Sequence, residues 1–374
     1  MRICFICPEY PNGPHGGIGS YTQDIARLLV KFGNEVRVIG VYKRNYRAPL
    51  YEEDFGVKVW RLYEKRGKFG WIPAWINQYK IIRKWAINHE IDLIESPDSR
   101  GWLAFWGKFP IPVVLRFHGS NTFINLSING KINVLSSFLG KLSYQRADIL
   151  VSVSNYNAAK TAEIFNLRKE IKIIHNGIKI TPLTNLPRKK DKIVFASSLL
   201  ISKGIFDLLD ALKMLVECGV QFTADIYGKD IQLKDGHWVS ESILNLSKTL
   251  PISYCGHITR DELFLVYRQA TVAVFPSHVE SFGLAPVEAM MCECPVIFSN
   301  NSTGREIIED GIDGILIPPH SPREIKNSII KIFDNFGQAI QMGKKARQNV
   351  EKKFNINNLL LKNIALYKDA IKDS

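Results

Sequence analysis

Short β-branched runs alternate with helical patterns along this chain, and the alternation runs its course twice. Strands are expected at Ile3–Ile6, Val36–Ile39, Val57–Trp60, Leu93–Glu95, Val113–Phe117, Ile149–Val153 and Ile171–Ile174, with helices such as Tyr21–Lys31 and Gln78–Asn88 between them. Strand-helix-strand order with compact connections calls for mostly parallel strands covered by helices, a doubly wound α/β sheet. After a segment at 181–190 that holds Pro182, Pro187 and Arg188-Lys189-Lys190 and reads as a linker, the pattern restarts. Strands are expected at Ile193–Ala196, Phe222–Tyr227, Ile252–Tyr254, Val272–Phe275, Val296–Phe298 and Gly314–Ile317. Helical patterns at Pro322–Phe333, Gln338–Lys352 and Ile356–Lys372 close the chain. The expected organisation is a domain at 1–180, a linker at 181–190, a domain at 191–354 and a final helix at 355–374. Two Rossmann-like halves make a cleft, and such sheets bind ligands beyond the carboxyl ends of their strands.

Several classes fall away. No apolar run approaches the ~18 residues of a membrane span, and Met1–Cys7 runs straight into Pro8 as a strand, too short for a signal peptide. Six cysteines in 374 residues do not make a disulfide framework, so a reducing cytoplasm is expected. Cys4-x-x-Cys7 and Cys292-x-Cys294 lack partner pairs and read as core residues, so no metal site is expected. No Gly-x-x-x-x-Gly-Lys-Ser/Thr loop, Asp-x-Asp pair or His-Glu-x-x-His helix is present, which disfavours a nucleotide triphosphatase and metal-dependent chemistry.

The net charge of +13 is lopsided. Residues 1–180 hold 26 Lys/Arg against 14 Asp/Glu, and six of the seven tryptophans fall there. Lys58, Arg61, Lys65, Arg66, Lys68, Lys80, Arg83 and Lys84 crowd residues 58–85, interleaved with Trp60, Trp71, Trp75 and Trp85. Such a stretch suits an anionic membrane surface, or it is a solvated face over core tryptophans. No nucleic-acid signature accompanies it, so nucleic acid is not an expected partner.

The strongest chemical signal is Pro276-Ser277-His278-Val279-Glu280-Ser281-Phe282-Gly283-Leu284-Ala285-Pro286-Val287-Glu288. Pro286 suits the first turn of a helix, which leaves Glu280 in the loop above a strand and Glu288 within the helix. Backbone amides near Phe282, Gly283 and Leu284 offer a seat for phosphate or sugar oxygens, and a carboxylate such as Glu288 can accept from both hydroxyls of a ribose. The bland alternative is a solvated glutamate and a capping turn.

Two glutamates eight positions apart, with Phe-Gly-Leu between them and Pro295-Val296-Ile297 after, resemble the donor site of family 4 retaining glycosyltransferases of GT-B fold. Other motifs agree in order: Gly16-Gly17-Ile18-Gly19 resembles the family's glycine loop, and Arg116-Phe117-His118-Gly119 its cleft histidine. Ala147–Ser154 and His175-Asn176-Gly177-Ile178 resemble landmarks before the hinge, and Leu199 to Lys203-Gly204 the phosphate-binding lysine turn. Gly304-Arg305-Glu306 follows the donor motif as in the family. The resemblance implies two domains facing across a cleft, with the last helix crossing back to the first. It implies a nucleotide-diphosphate sugar, UDP- or GDP-linked, as donor substrate, no cofactor and no metal. Lys203, the amides after Glu280 and the loop at Thr303–Gly304 would meet the diphosphate, with Gly16 and Gly17 approaching it. Glu288 would hold the ribose, while His118 and Glu280 serve the reacting sugar. A glycan or lipid-linked acceptor at the inner membrane face would give the basic first half a purpose in cell-surface polysaccharide or lipopolysaccharide synthesis.

Three positions depart from the family pattern. Ser198 replaces an arginine five residues before the lysine, a charge-assisted contact worth about 1.5–3 kcal/mol, for which Arg305 is a candidate substitute. Lys179 replaces an aspartate after Asn-Gly-Ile, and Glu293-Cys294 displaces a glycine before Pro295. Ser198 keeps a second reading open, a catalytically silent relative that binds a nucleotide sugar or a partner enzyme.

Overall fold

The structure, a computed structural model, describes residues 1–13, 15–67, 69–130 and 132–373. Lys68, one of the basic residues noted above, lies outside the described residues. The chain divides into two compact units, Met1–Gly177 with the chain from Ile356 onward, and Ile178–Asn355.

The first unit begins β1 (Arg2–Ile6), α1 (Gly17–Lys31), β2 (Glu35–Tyr42), β3 (Tyr51–Asp54), β4 (Val57–Tyr63), α2 (Trp71–Ile87) and β5 (Leu93–Pro97). It continues with β6 (Val113–Phe117), α3 (Asn121–Asn129), α4 (Val134–Arg146), β7 (Ile149–Ser152), α5 (Asn155–Phe165) and β8 (Ile171–Ile173). The eight strands run in the order β3-β4-β2-β1-β5-β6-β7-β8, all neighbours parallel except β3 against β4. β3 was not expected from the sequence. Its residues Tyr51-Glu52-Glu53-Asp54 carry no apolar alternation, and a charged, short edge strand is how sheets blunt an open edge. α3 is held at its start by its N-cap Ser120, whose side chain accepts a hydrogen bond from the Phe123 amide.

The second unit contains β9 (Lys192–Ala196), α6 (Ile205–Glu217), β10 (Thr223–Tyr227), α7 (Val239–Leu246), β11 (Ile252–Gly256), α8 (Arg260–Gln269) and β12 (Val272–Phe275). After these come α9 (Leu284–Met291), β13 (Val296–Ser299), α10 (Gly304–Ile307), β14 (Ile315–Ile317), α11 (Pro322–Asp334) and α12 (Phe336–Lys353). Its six strands, ordered β11-β10-β9-β12-β13-β14, are all parallel. The central strands β9, β12 and β13, buried on both faces, read as nearly continuous apolar runs such as Val272-Ala273-Val274-Phe275, whereas β10 and β11 alternate. Residues 181–190 are coil and belong to this unit. They are pinned rather than free, since Arg188 donates to the carbonyls of Ala270 and Glu293 and Arg347 to that of Thr181.

The last helix, α13 (Ile356–Lys372), packs on the first unit against α1 and β5. Leu359, Leu360, Leu366 and Tyr367 enter the core formed by β1, β2 and α1. Beneath the sheet a polar network closes. Arg116 on β6 donates to Glu95 on β5 at 2.7 and 3.0 Å and to Asn363 at 2.5 Å, and the Tyr367 hydroxyl donates to Glu95 at 2.6 Å. The Glu95 carboxylate holds the Arg116 guanidinium well above its ordinary pKa despite burial, so the guanidinium stays charged.

The basic stretch resolves into two parts. Arg61 is fully buried and paired with Glu52, a correction to its expected place on a basic face. Lys58, Lys65, Arg66, Lys80, Arg83 and Lys84 are exposed. Trp60 and Trp85 stack 4.8 Å apart with Arg37 over Trp85, so these two rings serve the core. Cys4 and Cys7 are free, and burial pushes both thiols up to about 12, which keeps them inert. No helix among the described residues is long and apolar enough to cross a membrane.

Candidate active site

In the second unit the loops after β9, β12 and β13 meet beyond the strand ends. Lys203 ends a single helical turn, Ile201–Lys203, and Gly204 follows it in the left-handed region at φ 72°. A Cβ on Gly204 would lie 2.1 Å from the Pro276 carbonyl oxygen, so only glycine lets this turn lie against the β12 loop. The Lys203 ammonium then sits 2.5 Å from Glu280 Oε1, with both side chains largely buried. Ser277 Oγ donates to the same oxygen at 3.1 Å, and the Glu280 amide donates to Ser302 Oγ at 3.0 Å. Asn301 donates to the His278 carbonyl, and the His278 amide to that of Ser202. Three loops distant in sequence thus become one cradle around Glu280.

Gly283, at φ 100°, opens α9. The first amides of a helix lie outside its hydrogen-bond ladder, so Leu284 and Ala285 mark the end of α9 that favours an anion. Phe282 is a core residue, packed edge-on against Phe354 at 5.5 Å. Thr303 Oγ1 donates to the Phe282 carbonyl at 2.6 Å, and a Cβ on Gly304 would lie 1.9 Å from the Ser299 carbonyl oxygen. Both residues therefore brace the loop. Glu288 is mostly buried rather than solvated, its Oε1 2.7 Å from Arg260 Nε. Arg260 begins α8, which Thr259 and Glu262 close with a capping box. Ser198 lies half-buried in the loop after β9, and Arg305 is exposed on α10.

The sequence expectation singled out neither Asp207 nor His320. His278 Nε2 meets Asp207 Oδ2 at 2.5 Å and its ring lies 3.6 Å from that of His320. Their ligand-type atoms all fall within 4.8 Å of one another. Ser302, Asn301 and Arg260 were also missed, because their partners stand 22 to 28 positions away. Ser277 lies inside the quoted motif, three residues before its partner Glu280, but carried no assigned role.

In the first unit His118 follows β6 and its amide donates to Asp98 Oδ1 at 2.9 Å. Its ring lies 5.1 Å from that of Tyr21. Burial and the nearby Arg116 charge pull the imidazole down to about 3, so it is neutral at pH 7. Burial also pushes the Asp98 carboxyl up to about 7, against hydrogen bonds from the His118 amide and Tyr144 that favour its ionised form. Gly16 and Gly17 are exposed where α1 begins. The glycine that the fold requires is Gly19, where a Cβ would lie 2.1 Å from the Glu9 carbonyl oxygen. Glu9 places its own carboxylate on the Gly19 amide at 3.0 Å, negative charge at a helix N-terminus.

Two parallel-sheet units, each with polar side chains gathered beyond its strand ends, make the GT-B architecture. A family described as Glycosyltransferase Family 4 matches residues 15–181, and one described as Glycosyl transferases group 1 matches 179–349. The chain is 25% identical over 352 residues to the phosphatidyl-myo-inositol mannosyltransferase of Mycobacterium leprae, covering 90% of this chain and 88% of that protein. Its fold matches sucrose-phosphate synthase from Thermosynechococcus elongatus with a TM-score of 0.84 at 21% identity, all of both chains being covered. It also matches Anabaena Alr3699/HepE in complex with UDP and glucose, with a TM-score of 0.76 at 18% identity over 99% of this chain and all of that one. The chain belongs to the family 4 glycosyltransferases of GT-B fold.

Proposed function

We propose that this glycosyltransferase moves a hexose from a UDP- or GDP-linked donor to a glycan or lipid-linked acceptor, with retention of configuration and without metal. The observation that carries the reading is the Lys203–Glu280 pair, held by three loops beside the start of α9. Charge builds on the leaving diphosphate as the bond between the anomeric carbon and the phosphate oxygen breaks. Fixed cations and amides aimed there contribute most. Lys203 exchanges its carboxylate partner for the diphosphate, which frees Glu280 to face the positive charge on the oxocarbenium-like sugar. Leu284 and Ala285 amides add to the anion seat, and Glu288, oriented by Arg260, takes the ribose hydroxyls. The acceptor oxygen bonds to the anomeric carbon as the phosphate leaves, and its proton passes to the departing phosphate oxygen. His118, neutral, accepts or donates one hydrogen bond to sugar or acceptor without adding a like charge. The mannosyltransferase relative, by its name, acts on a phosphatidyl lipid. That supports a lipid-linked acceptor, peripheral work at the inner membrane face and a place in cell-surface glycan synthesis.

The test is a panel of UDP-, GDP- and ADP-sugars scored for nucleoside diphosphate release with and without EDTA. One donor is expected to turn over regardless of EDTA, and Glu280→Ala and Lys203→Ala to lower kcat by about a hundredfold or more, as loss of a key electrostatic contact does. Undiminished turnover in Glu280→Ala would sink the assignment. Donor binding without turnover in the parent enzyme would leave the silent-binder reading.

A further inference from the structure

A pocket of about 460 Å³ opens in the first unit, walled by Trp71, Trp75, Trp102, Phe105, Leu135 and Leu139. That volume is in the range of small-molecule sites, and predominantly apolar walls with few polar groups are their usual chemistry. The polar edge here is Glu64 and Arg100, 3.3 Å apart, a long pair with Arg100 40% exposed. The pocket reaches Asn121, three residues beyond His118, and Gly101, three beyond the Asp98 that holds the His118 amide. It therefore lies at the carboxyl ends of β5 and β6, on the side of the sheet where His118 stands.

The rim is unusual for a soluble surface. Phe105 and Leu135 are 63% and 64% exposed, and Val134 is 79% exposed. Phe138 stands 6.3 Å from Phe105. Lys65 and Arg66, both exposed, follow Glu64 directly. Inside, the Trp75 indole donates to the Trp102 carbonyl, while Trp102 is 3% exposed and its Nε1 has no hydrogen-bond partner among the described residues. An apolar hollow with a cation at its mouth, in a half of the chain that carries a surplus of twelve positive charges, complements an alkyl chain that ends in an anion.

We propose that this pocket holds the hydrocarbon chain of a lipid-phosphate acceptor, with Arg100 exchanging Glu64 for the acceptor's phosphate. The proposal rests on the transferase reading above and narrows its acceptor class. A concave hollow walled by rings encloses a single chain, whereas bilayer contact needs only an exposed apolar surface.

Brominated alkyl phosphates of increasing length, used below their micelle concentration, test it by tryptophan quenching in the full-length protein. Saturable quenching is expected, with affinity rising about fourfold per methylene until the pocket is full. Ser136→Phe, which puts a ring into the pocket, and Leu135→Glu, at the exposed rim, should each weaken binding at least tenfold. Arg100→Gln should weaken the phosphate but leave the matching bromoalkyl alcohol unchanged, a difference that misfolding would not produce. Quenching without chain-length dependence, or indifferent to Ser136→Phe, would overturn the proposal. So would quenching seen only with brominated lipid in anionic vesicles, which would make the rim a membrane face. Because the readout is binding, turnover on a soluble glycan with no quenching removes the pocket alone. Quenching without any turnover keeps the pocket and removes the transferase reading.

Discussion

The two units place charge in opposite ways. In the first, Arg116, Glu95, Asn363 and Tyr367 form a buried network, and His118, two residues beyond Arg116, is neutral. In the second, Lys203, Glu280, Glu288 and Arg260 keep part of their surface, with side-chain exposures between 13% and 32%. A pair buried to this depth fixes a position and is closed to a ligand. A pair that keeps an edge open to water can trade one partner for an incoming anion more readily than a fully buried one. The same side-chain chemistry thus makes a scaffold in one unit and a binding surface in the other.

Arg116→Met should break this comparison most forcefully. It leaves Glu95 buried without its cation, a loss of about 3–5 kcal/mol. Hydrogen exchange in β5, β6 and α13 should accelerate while β9 and β12 keep their protection, and adding Glu95→Gln should restore part of it. Equal acceleration in both sheets would contradict a network local to the first unit. Gly204→Ala strikes the second unit, where geometry rather than charge does the holding. A left-handed backbone and a Cβ pressed on the Pro276 carbonyl oxygen should cost about 2 kcal/mol. The increase in exchange should centre on Lys203 and the β12 loop.

The pH dependence of stability tests the buried charge directly. His118 has a folded pKa of about 3 against an ordinary 6.5. The unfolded state therefore binds the extra proton, and stability is lost as pH falls from about 6.5 toward 3. Asp98 has a folded pKa of about 7 against an ordinary 3.8. Here the folded state holds the proton, and stability is lost as pH rises from about 4 to 7. Between about pH 4 and 6.5 the two slopes oppose, each about 1.4 kcal/mol per pH unit. In His118→Phe, urea denaturation should show stability falling with rising pH across that window. In Asp98→Asn it should rise. Identical profiles in both variants would refute the account.

The central parallel strands were legible because burial on both faces writes them as apolar runs, and the extent of α13 was legible from its helical periodicity. β3 was not, since an edge strand of Glu52, Glu53 and Asp54 hides the alternation. α1 begins at Gly17 rather than at Tyr21, because glycines read as a loop until the Glu9 contact that fixes their turn is visible. Glu280 and Glu288 could be placed on a loop and a helix by spacing alone. The tie from Glu280 to Ser302, 22 positions on, and the pairing of Glu288 with Arg260, 28 positions back, needed the fold. Lys203 was singled out only through the family resemblance, and its partner Glu280 stands 77 residues later.

The network under β5 and β6 has a consequence for how the molecule is made. Glu95 and Arg116 leave the ribosome early, but Asn363 and Tyr367, which complete their hydrogen bonds, follow only after the whole second unit has been synthesised. At 5–20 residues per second that interval is roughly ten to fifty seconds. Throughout it the first sheet exists without the helix that seals it, so the order of synthesis gives the nascent first unit its longest exposure to aggregation and to chaperones.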